Sequence, residues 1–318
     1  MSEEAIPLGI STCLLGQSVR YNGGHKRDRF ILQTLGDYFS YVPVCPEVEC
    51  GMSIPRESMR LVGTEENYRL LTHNTKEDKT DQMLHWAEKR LKELEEKDLC
   101  GYIFKSKSPS SGLYRVKIYS PDGKRVWNTG SGIWAGMFAA HFPLIPVEED
   151  GRLHDPALRE NFIERVFVFK RWRDMMKSSP AYGDLVRFHT RHKLLIMSHD
   201  LSLYRKMGKL VADGKPLPFN QVLDEYLEEL LAAMKKLTSV KKNTNVLHHI
   251  MGHFKKELSA DEKQELLGII DQYRRGHLPL IVPVTLLNHY VRKYEKEYLA
   301  EQWYLNPHPT EMKLRTHV

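Results

Sequence analysis

The chain has few cysteines and no long apolar run, and each of these features narrows the class of protein to which it can belong. Its 318 residues include only four cysteines, and no apolar run approaches the roughly 18 residues that a membrane span requires. The N-terminus lacks the basic stretch and following apolar stretch of an export signal, so we expect a cytoplasmic protein without a membrane partner. In a reducing compartment, cysteines serve as free thiols or metal ligands rather than disulfides.

Acidic residues are less abundant than basic ones in the second half of the chain. Residues 1–150 contain 19 lysines and arginines against 21 acidic residues, whereas residues 151–318 contain 28 against 20. Eleven of the 15 histidines also follow residue 150. This asymmetry predicts two domains, 1–150 and 151–318, and makes tRNA a candidate partner of the second, although a solvated basic helical surface is the more ordinary explanation.

The hydrophobic periodicity also differs between the two halves. In the first half, short apolar runs such as 5–12 and 41–45 alternate with helical patterns, which predicts an α/β fold with a Rossmann-like parallel sheet and flanking helices. The polar, turn-rich segment 148–156 marks the boundary. Every later periodic segment is helical, so an all-α domain is expected, and Ser259 followed by Glu262 predicts a capping box within it.

The residues that could carry chemistry follow the predicted strands. Cys13 and Cys45 each end a strand, and the loop 106–112 follows a third strand at 101–105. Because the carboxyl ends of parallel strands meet at one edge of a sheet, we expect these segments to converge. Thiolates in such a place favour an iron–sulfur cluster, zinc or copper(I), although buried structural cysteine is common.

Several short segments resemble two known families. STCLLG at Cys13, VRYNGG at Val19, CPEVECGM at Cys45 and KSKSPSSG at Lys105 occur in the order found in the bacterial thiouracil and 4-thiouridine desulfidases. The first half therefore resembles that family (TudS-like, domain of unknown function 523). The later stretches ENFIERVF, HTRHK and YLNPHPTEMKLR resemble the YbgA-like helical domain (domain of unknown function 1722) that is often fused to it.

The resemblance to the desulfidases implies a cofactor and a reaction. The cofactor is a [4Fe–4S] cluster held by three protein thiolates, with one iron open to the sulfur of a thiolated pyrimidine. The implied substrate is a small molecule (2-thiouracil, 4-thiouridine or its monophosphate), which loses sulfide without a net redox change. By position, the residue that activates water is Glu47, for which capping a helix N-terminus is the alternative role.

Polar residues of the same segments are candidate contacts for the substrate. Ser108 and Ser110 could hydrogen-bond the substrate or its developing charge. Lys105 and Lys107 could neutralise a substrate phosphate, the alternative being that they lie in solvent. The predicted catalytic set is Glu47, Lys105, Ser108 and Ser110, and the predicted substrate-binding set is Ser11, Arg20, Arg56, Ser106 and Lys107.

One ligand position departs from the pattern of the family. Ser111 stands where the family has its third cysteine, and serine is a poor ligand for iron–sulfur clusters. Cys100 opens its strand, which at about 3.3 Å per residue puts it some 25 Å from the site. Cys50 follows Cys45 by five residues in the same glycine-containing loop. We therefore predict cluster ligation by Cys13, Cys45 and Cys50.

Two other classes of function stay open on the sequence alone. A tRNA-binding adaptor would use the basic helical half to bind RNA and the α/β half to sense a modified base. A zinc-dependent hydrolase would use the same cysteines without a cluster. In the helical half, His189, His192 and His199 share one helix face and could bind zinc, although such histidines are more often ordinary half-buried residues.

Overall fold

The computed structural model describes residues 5–312 and 314–317. The chain divides into two compact units, Met1–His154 and Asp155–Val318. Within the described ranges, no helix is both long enough and apolar enough to cross a membrane.

A parallel sheet forms the centre of the first unit. The strands of this unit are β1 (Ile6–Ser11), β2 (Phe39–Val44), β3 (Met59–Gly63), β4 (Tyr68–Thr72), β5 (Tyr102–Phe104), β6 (Val116–Tyr119), β7 (Val126–Gly130) and β8 (Val147–Glu149). The main sheet has the order β2-β1-β5-β8, and all neighbouring strands are parallel. In its register Ser11 lies beside Val44, so the residues that follow both strands leave the sheet at the same edge.

Helices and helical turns cover this sheet, as the periodicity predicts. The helices are α1 (Pro46–Glu49), α2 (Thr80–Glu95) and α3 (Ile133–His141), and one π-helical turn spans Phe30–Leu35. In α3 the indole of Trp134 donates a hydrogen bond to the hydroxyl of Tyr102 on β5 (3.1 Å), and Phe138 packs against the same tyrosine ring. The predicted α/β class of the first half is confirmed.

A second sheet in the first unit was not predicted. It has the order β4-β3-β6-β7; β3 pairs with β6 in parallel, and the two outer pairs are antiparallel. Its own small core contains Leu61, Leu70, Val116 and Ile118. These strands are short, and β3 and β4 flank a charged turn, so their alternation is weak beside the helical signal of α2.

The second unit is helical throughout its longer elements, which confirms the all-α prediction. The helices are α4 (Pro156–Lys177), α5 (Tyr182–His199), α6 (Leu201–Asp213), α7 (Phe219–Met234), α8 (Val240–Gly252), α9 (Ala260–Arg274), α10 (Ile281–Lys293) and α11 (Glu297–Ala300). Asp155 caps α4 by accepting from the backbone N–H of Ala157 and Leu158. The predicted capping box of Ser259 and Glu262 opens α9.

Candidate active site

A cavity of about 860 Å³ opens at the carboxyl edge of the main sheet. Its walls come from the segments that follow β1, β2, β5 and β8, which is where parallel α/β folds collect their ligands. The thiols of Cys13 and Cys45 and the carboxylate of Glu47 all line it. The loop after β1 and the turn that opens α1 therefore bring Cys13, Cys45 and Glu47 to one space.

The two thiols occupy the turns that end neighbouring strands. Cys13 lies in a short 3-10 turn, Thr12–Leu15, directly after β1, and Cys45 is the residue that precedes α1 after β2. Burial raises the pKa of Cys13 to about 11 and that of Cys45 to about 12. Both sulfurs therefore carry protons at neutral pH unless a metal displaces them.

The Glu47 carboxylate touches three functional groups. Its Oε1 accepts a short hydrogen bond from the hydroxyl of Ser110. Its Oε2 lies 3.6 Å from the sulfur of Cys45 and 3.8 Å from Nη2 of Arg56. Arg56 in turn donates from Nη1 to the carbonyl of Val19 at 3.0 Å, which ties the second predicted motif to the third.

The capping role considered for Glu47 belongs instead to Glu49. One oxygen of Glu49 accepts from the backbone N–H of Cys45 at 2.8 Å, at the start of α1, and the other lies 3.1 Å from Nε of Arg90. Glu47 makes no such contact with the backbone of this turn in the described residues. Its carboxylate is directed instead at the loop after β5 and at the cavity.

The serine loop after β5 is closed by hydrogen bonds within itself. The hydroxyl of Ser108 accepts from the backbone N–H of Ser110 and Ser111 at 3.3 and 3.2 Å. It also lies 2.8 Å from the Ser110 hydroxyl. A β-carbon on Gly132 would lie 2.3 Å from the carbonyl oxygen of Ser110, so the start of α3 approaches this loop as closely as only glycine permits.

Lys105 makes a structural contact at the base of this loop. Its ammonium lies 2.9 Å from an Asp150 oxygen and 3.0 Å from the hydroxyl of Ser106. Its backbone N–H donates to the hydroxyl of Ser11 at 2.9 Å. A catalytic role for Lys105 therefore requires its ammonium to leave Asp150. Ser11 and Ser106 line the cavity but are already engaged in these contacts.

The structure brings together two of the three predicted ligands. Cys50 ends α1, outside the cavity lining found among the described residues; its thiol donates to the carbonyl of Glu47 at 3.3 Å. Its side chain packs against the core of the second sheet. Ser111 does line the cavity. Cys100 precedes β5 and donates from its backbone to Pro7, near the start of β1, at the opposite edge of the sheet.

Basic side chains dominate the rim of the cavity. Arg20 and the exposed Lys107 line it, as predicted for substrate contacts. Lys26, Arg115 and Arg152 also line it and were not predicted, because isolated basic residues carry no periodic signal. Arg152 is paired with Glu148 at 2.7 Å. Positive charge at the mouth of a cavity suits an anionic ligand.

The donor set at the cavity fits an iron–sulfur cluster at two positions. Two thiols on adjacent loops are ligands of the kind that such clusters take, and each would bind a different iron atom. A single zinc ion needs three or four ligand atoms around one point. Among the described residues, the cavity does not bring three atoms from cysteine, histidine or acidic side chains within 4.8 Å of one another. The arrangement therefore does not favour the zinc-hydrolase alternative.

The three histidines singled out in α5 are buried, and each has a partner within the helical unit. Nδ1 of His189 lies 3.2 Å from the hydroxyl of Tyr226, and Nδ1 of His192 donates to the carbonyl of Phe188 at 2.7 Å. Nε2 of His199 lies 3.1 Å from Oε2 of Glu164. They do not converge on one point, so their shared helix face does not make a common metal site among the described residues.

Comparisons with known proteins assign both halves of the chain. Residues 8–150 match the sequence model of the family described as 2-thiouracil desulfurase, and residues 193–309 match that of a protein of unknown function, DUF1722. The chain belongs to these two families. The desulfurase match covers every loop that builds the cavity except the part of the rim formed by Gly151 and Arg152.

Two relatives and one solved structure are similar to single halves of this desulfurase-family chain. The uncharacterized protein YbgA of Escherichia coli K12 is 30% identical over 152 residues, which is 48% of this chain and 90% of that protein. The uncharacterized protein YbbK of Bacillus subtilis 168 is 34% identical over 134 residues, 40% of this chain and 86% of that protein. A solved [4Fe-4S]-dependent thiouracil desulfidase, TudS, is 27% identical with a TM-score of 0.37, covering 48% of this chain and 95% of that one.

Proposed function

We propose that the first unit is a desulfidase that removes sulfur, as sulfide, from a thiolated pyrimidine bound in the cavity at the carboxyl edge of the main sheet. The observation that carries the proposal is the convergence of Cys13, Cys45 and Glu47 on one cavity, in a unit of the 2-thiouracil desulfurase family. The substrates that we propose are 2-thiouracil, 4-thiouridine and 4-thiouridine monophosphate.

The chemistry needs a Lewis acid and a base. A [4Fe–4S] cluster held by Cys13 and Cys45 would supply, when bound, an iron without a protein ligand that polarises the thiocarbonyl. Glu47 accepts a proton from water, the water oxygen adds to the ring carbon, and the carbon–sulfur bond breaks. Oxygen replaces sulfur on the ring, sulfur leaves as sulfide, and no electron is gained or lost.

The contacts of Glu47 support its role as the base. Ser110 donates to Oε1 and so fixes the carboxylate, while Oε2 faces Cys45 and Arg56. Ser108 holds Ser110 in place through their paired hydroxyls. In this proposal Ser108 and Ser110 act through Glu47, and they position the base rather than touch the substrate.

A substrate phosphate would meet positive charge at the rim. Arg20 and Lys107 are our proposed phosphate contacts, and Arg115 adds further positive charge to the lining. Arg56, whose side chain is 8% exposed, and Ser106 are our proposed contacts to the pyrimidine or ribose. The basic rim is therefore the observation that favours the monophosphate over the free base.

Cys50 remains our proposal for the third thiolate, and this role requires its side chain to change direction. The thiol must turn away from the Glu47 carbonyl, which accepts its hydrogen bond in the present arrangement. Ser111, already in the lining, is the competing oxygen ligand. Iron counts after anaerobic reconstitution decide between them: Cys50→Ala should lose iron while Ser111→Ala keeps it, and the reverse result eliminates Cys50.

The experiment that tests the function pairs metal analysis with turnover. Anaerobically purified protein should contain iron and acid-labile sulfide and should release sulfide from 4-thiouridine monophosphate. Cys45→Ala should lose both properties, while Cys100→Ala, a buried cysteine at the other edge of the sheet, should keep them. Iron-free wild-type protein, or equal losses in the two variants, would refute the proposal.

The tRNA-binding alternative rests on the charge of the helical half and stays a prediction. Salt-dependent binding of tRNA without sulfide release from any thiolated pyrimidine would favour it over the desulfidase.

A further inference from the structure

Two glutamates of α4 lie one turn apart and face the interior of the helical unit. Glu164 is 1% exposed, and the side chain of Glu160 is 12% exposed. A spacing of four residues puts both carboxylates on the same side of the helix. Carboxylates in such a setting require compensating charge and hydrogen bonds, because leaving water costs several kcal/mol for each ion.

Arg315 compensates only half of this charge. Its Nε lies 2.9 Å from Oε1 of Glu160, and its Nη2 lies 2.8 Å from Oε1 of Glu164. One buried cation thus serves two carboxylates and leaves the Oε2 atom of each to other partners. His317, which is partly exposed, places its Nε2 4.0 Å from Oε2 of Glu160. Arg315 is therefore the one arginine that these two carboxylates share among the described ion pairs.

Two histidines present a ring nitrogen to these carboxylates. Nδ1 of His199 donates to the Lys236 carbonyl at 2.6 Å, and its Nε2 lies 3.1 Å from Oε2 of Glu164. Nδ1 of His308 lies 3.2 Å from the carbonyl of Pro309, to which it can only donate. Nε2 of His308 is buried and has no hydrogen-bond partner among the described residues.

The atoms are close enough to share one ion. A ring nitrogen of His308 and one oxygen each of Glu160 and Glu164 all lie within 4.8 Å of one another. At zinc bond lengths of about 2.0–2.2 Å, tetrahedral ligand atoms stand roughly 3.4 Å apart, so small side-chain shifts suffice. Metal-ligating histidines nearly always donate their other N–H to a carbonyl or a carboxylate, and both histidines here do so.

We infer that the helical unit binds one divalent metal ion of the zinc class in its core. The ion joins α4 to the segment that follows α11. Nitrogen and carboxylate oxygen ligands suit zinc, and an ion at this point gives the unpartnered Nε2 of His308 a partner and adds positive charge beside two buried carboxylates. The ligands are Glu160, Glu164 and His308, and His199 contacts the Oε2 atom of Glu164 as an outer neighbour.

A simpler arrangement is an ion-pair network without a metal, in which Arg315 alone fastens the C-terminal segment to α4. That arrangement accounts for the two Oε1 atoms, and His199 and His317 lie 3.1 and 4.0 Å from the Oε2 atoms of Glu164 and Glu160. It leaves the Nε2 atom of His308 buried without a partner, which is unfavourable because the atom has left water and gained no hydrogen bond. A bound metal is compatible with the contacts of Arg315 and also gives the Nε2 atom of His308 a partner. The experiment must therefore be able to show that the network exists without a metal.

The test measures zinc binding by the full-length chain in a background of Cys13→Ala, Cys45→Ala and Cys50→Ala, so that no cavity thiol contributes. We expect one tightly bound zinc ion per chain. His308→Gln should weaken zinc binding by at least the roughly 10- to 100-fold that loss of an outer-shell partner costs. The matched control is His248→Gln, an exposed histidine on α8, which should leave the affinity unchanged.

Cobalt(II) in place of zinc gives a second readout. In the same background, visible d–d bands without a sulfur charge-transfer band should appear and should vanish in His308→Gln. If circular dichroism shows that His308→Gln does not fold, Glu160→Gln, which keeps the shape of the side chain, takes its place. No stoichiometric zinc, or equal zinc affinity in the folded ligand variant and His248→Gln, overturns the proposal and leaves Arg315 as the sole cation.

Discussion

The two units place a carboxylate beside an arginine in opposite settings. Glu47 and Arg56 lie 3.8 Å apart on the wall of a cavity, whereas Glu164 and Arg315 lie 2.8 Å apart within a core. At the cavity, a carboxylate oxygen stays within reach of an incoming molecule. In the core, the charge is met by buried neighbours and, in our proposal, by a bound metal ion. An ion pair therefore points to a reaction site only when open space adjoins it.

The histidines divide in the same way. Those of the first unit, at positions 25, 73, 85, 141 and 154, are all exposed. In the helical unit His189, His192 and His199 are buried. A buried histidine that stays neutral in the folded state couples the fold to pH, because the unfolded chain can take up a proton that the folded chain cannot. The two units should therefore differ in their response to acid.

The largest expected effect comes from Glu47→Gln. If Glu47 is the base, kcat for sulfide release should fall about 10²- to 10⁴-fold, the usual contribution of a general base. Iron content and melting temperature should not change, because the amide can still accept from Ser110. Glu93→Gln, on the surface of α2, is the matched control. Activity within twofold of wild type would remove Glu47 from the mechanism.

The second expected effect is a loss of stability in the helical unit. Arg315→Ala leaves two carboxylates buried without their arginine and should lower the free energy of unfolding by about 3–5 kcal/mol. Arg274→Ala removes a surface partner of Asp271 and should cost no more than about 1 kcal/mol. Denaturant titrations of both full-length variants compare the two settings directly. Equal losses would contradict the comparison of core with surface.

The third effect separates the units by pH. Burial lowers the pKa of His189 to about 4 and that of His192 well below its usual value, so both are neutral in the folded state. The unfolded chain takes up protons below about pH 6.5, so this stability is complete above pH 6.5 and is lost as the pH falls toward 4. For His189 the loss is roughly 3 kcal/mol. Without a bound metal, the raised pKa of Glu160 acts in the opposite direction below neutral pH, while the lowered pKa of its neighbour Glu164 acts in the same direction as the histidines.

Hydrogen exchange of the full-length chain, corrected for intrinsic rates, measures this difference unit by unit. Between about pH 7 and about pH 5, protection in α5 and its neighbours should fall more than protection in the strands of the main sheet. His189→Gln should reduce the pH dependence in the helical unit. A uniform change across the chain would argue against buried histidines as its cause.

The smallest effect tests a contact that the sequence predicts. Ser259→Ala removes the hydroxyl that accepts from the backbone N–H of Glu262 at the start of α9, and should cost about 1 kcal/mol of stability. Ser178→Ala, which removes a hydroxyl at the opposite kind of helix end, is the control. A thermal shift no larger than that of the control would mean that α9 does not depend on its cap.

The sequence predicts the cavity better than it predicts the cluster in the helical core. Cys13 and Cys45 could be placed together because each ends an apolar run. Parallel pairing of the two strands then brings their carboxyl ends to the same edge of the sheet. No such rule joins Glu160 to Arg315, which are 155 residues apart. In a helical pattern a charged residue on the inner face looks like one on the surface, so only the fold reveals that they meet.

The absence of a simple sequence rule also explains why the orientation of Cys50 and the second sheet could not be predicted. Loop length allows Cys50 to reach the cavity, but the side chain packs against the core of a sheet that the periodicity did not reveal. Sequence distance sets what is possible in a loop, while packing decides which way a side chain turns. Whether Cys50 turns back toward the cavity remains a prediction.

The contact between Lys105 and Asp150 has a consequence for how molecules reach the cavity. Because Asp150 neutralises Lys105, the remaining basic side chains of the lining include Arg20, Lys26, Lys107 and Arg115. Such charge acts on diffusing anions over a screening length of about 10 Å at 0.1 M salt, and it speeds their encounter with the mouth. If the proposed function holds, this charge favours a phosphorylated pyrimidine over the free base during its approach, before any contact forms.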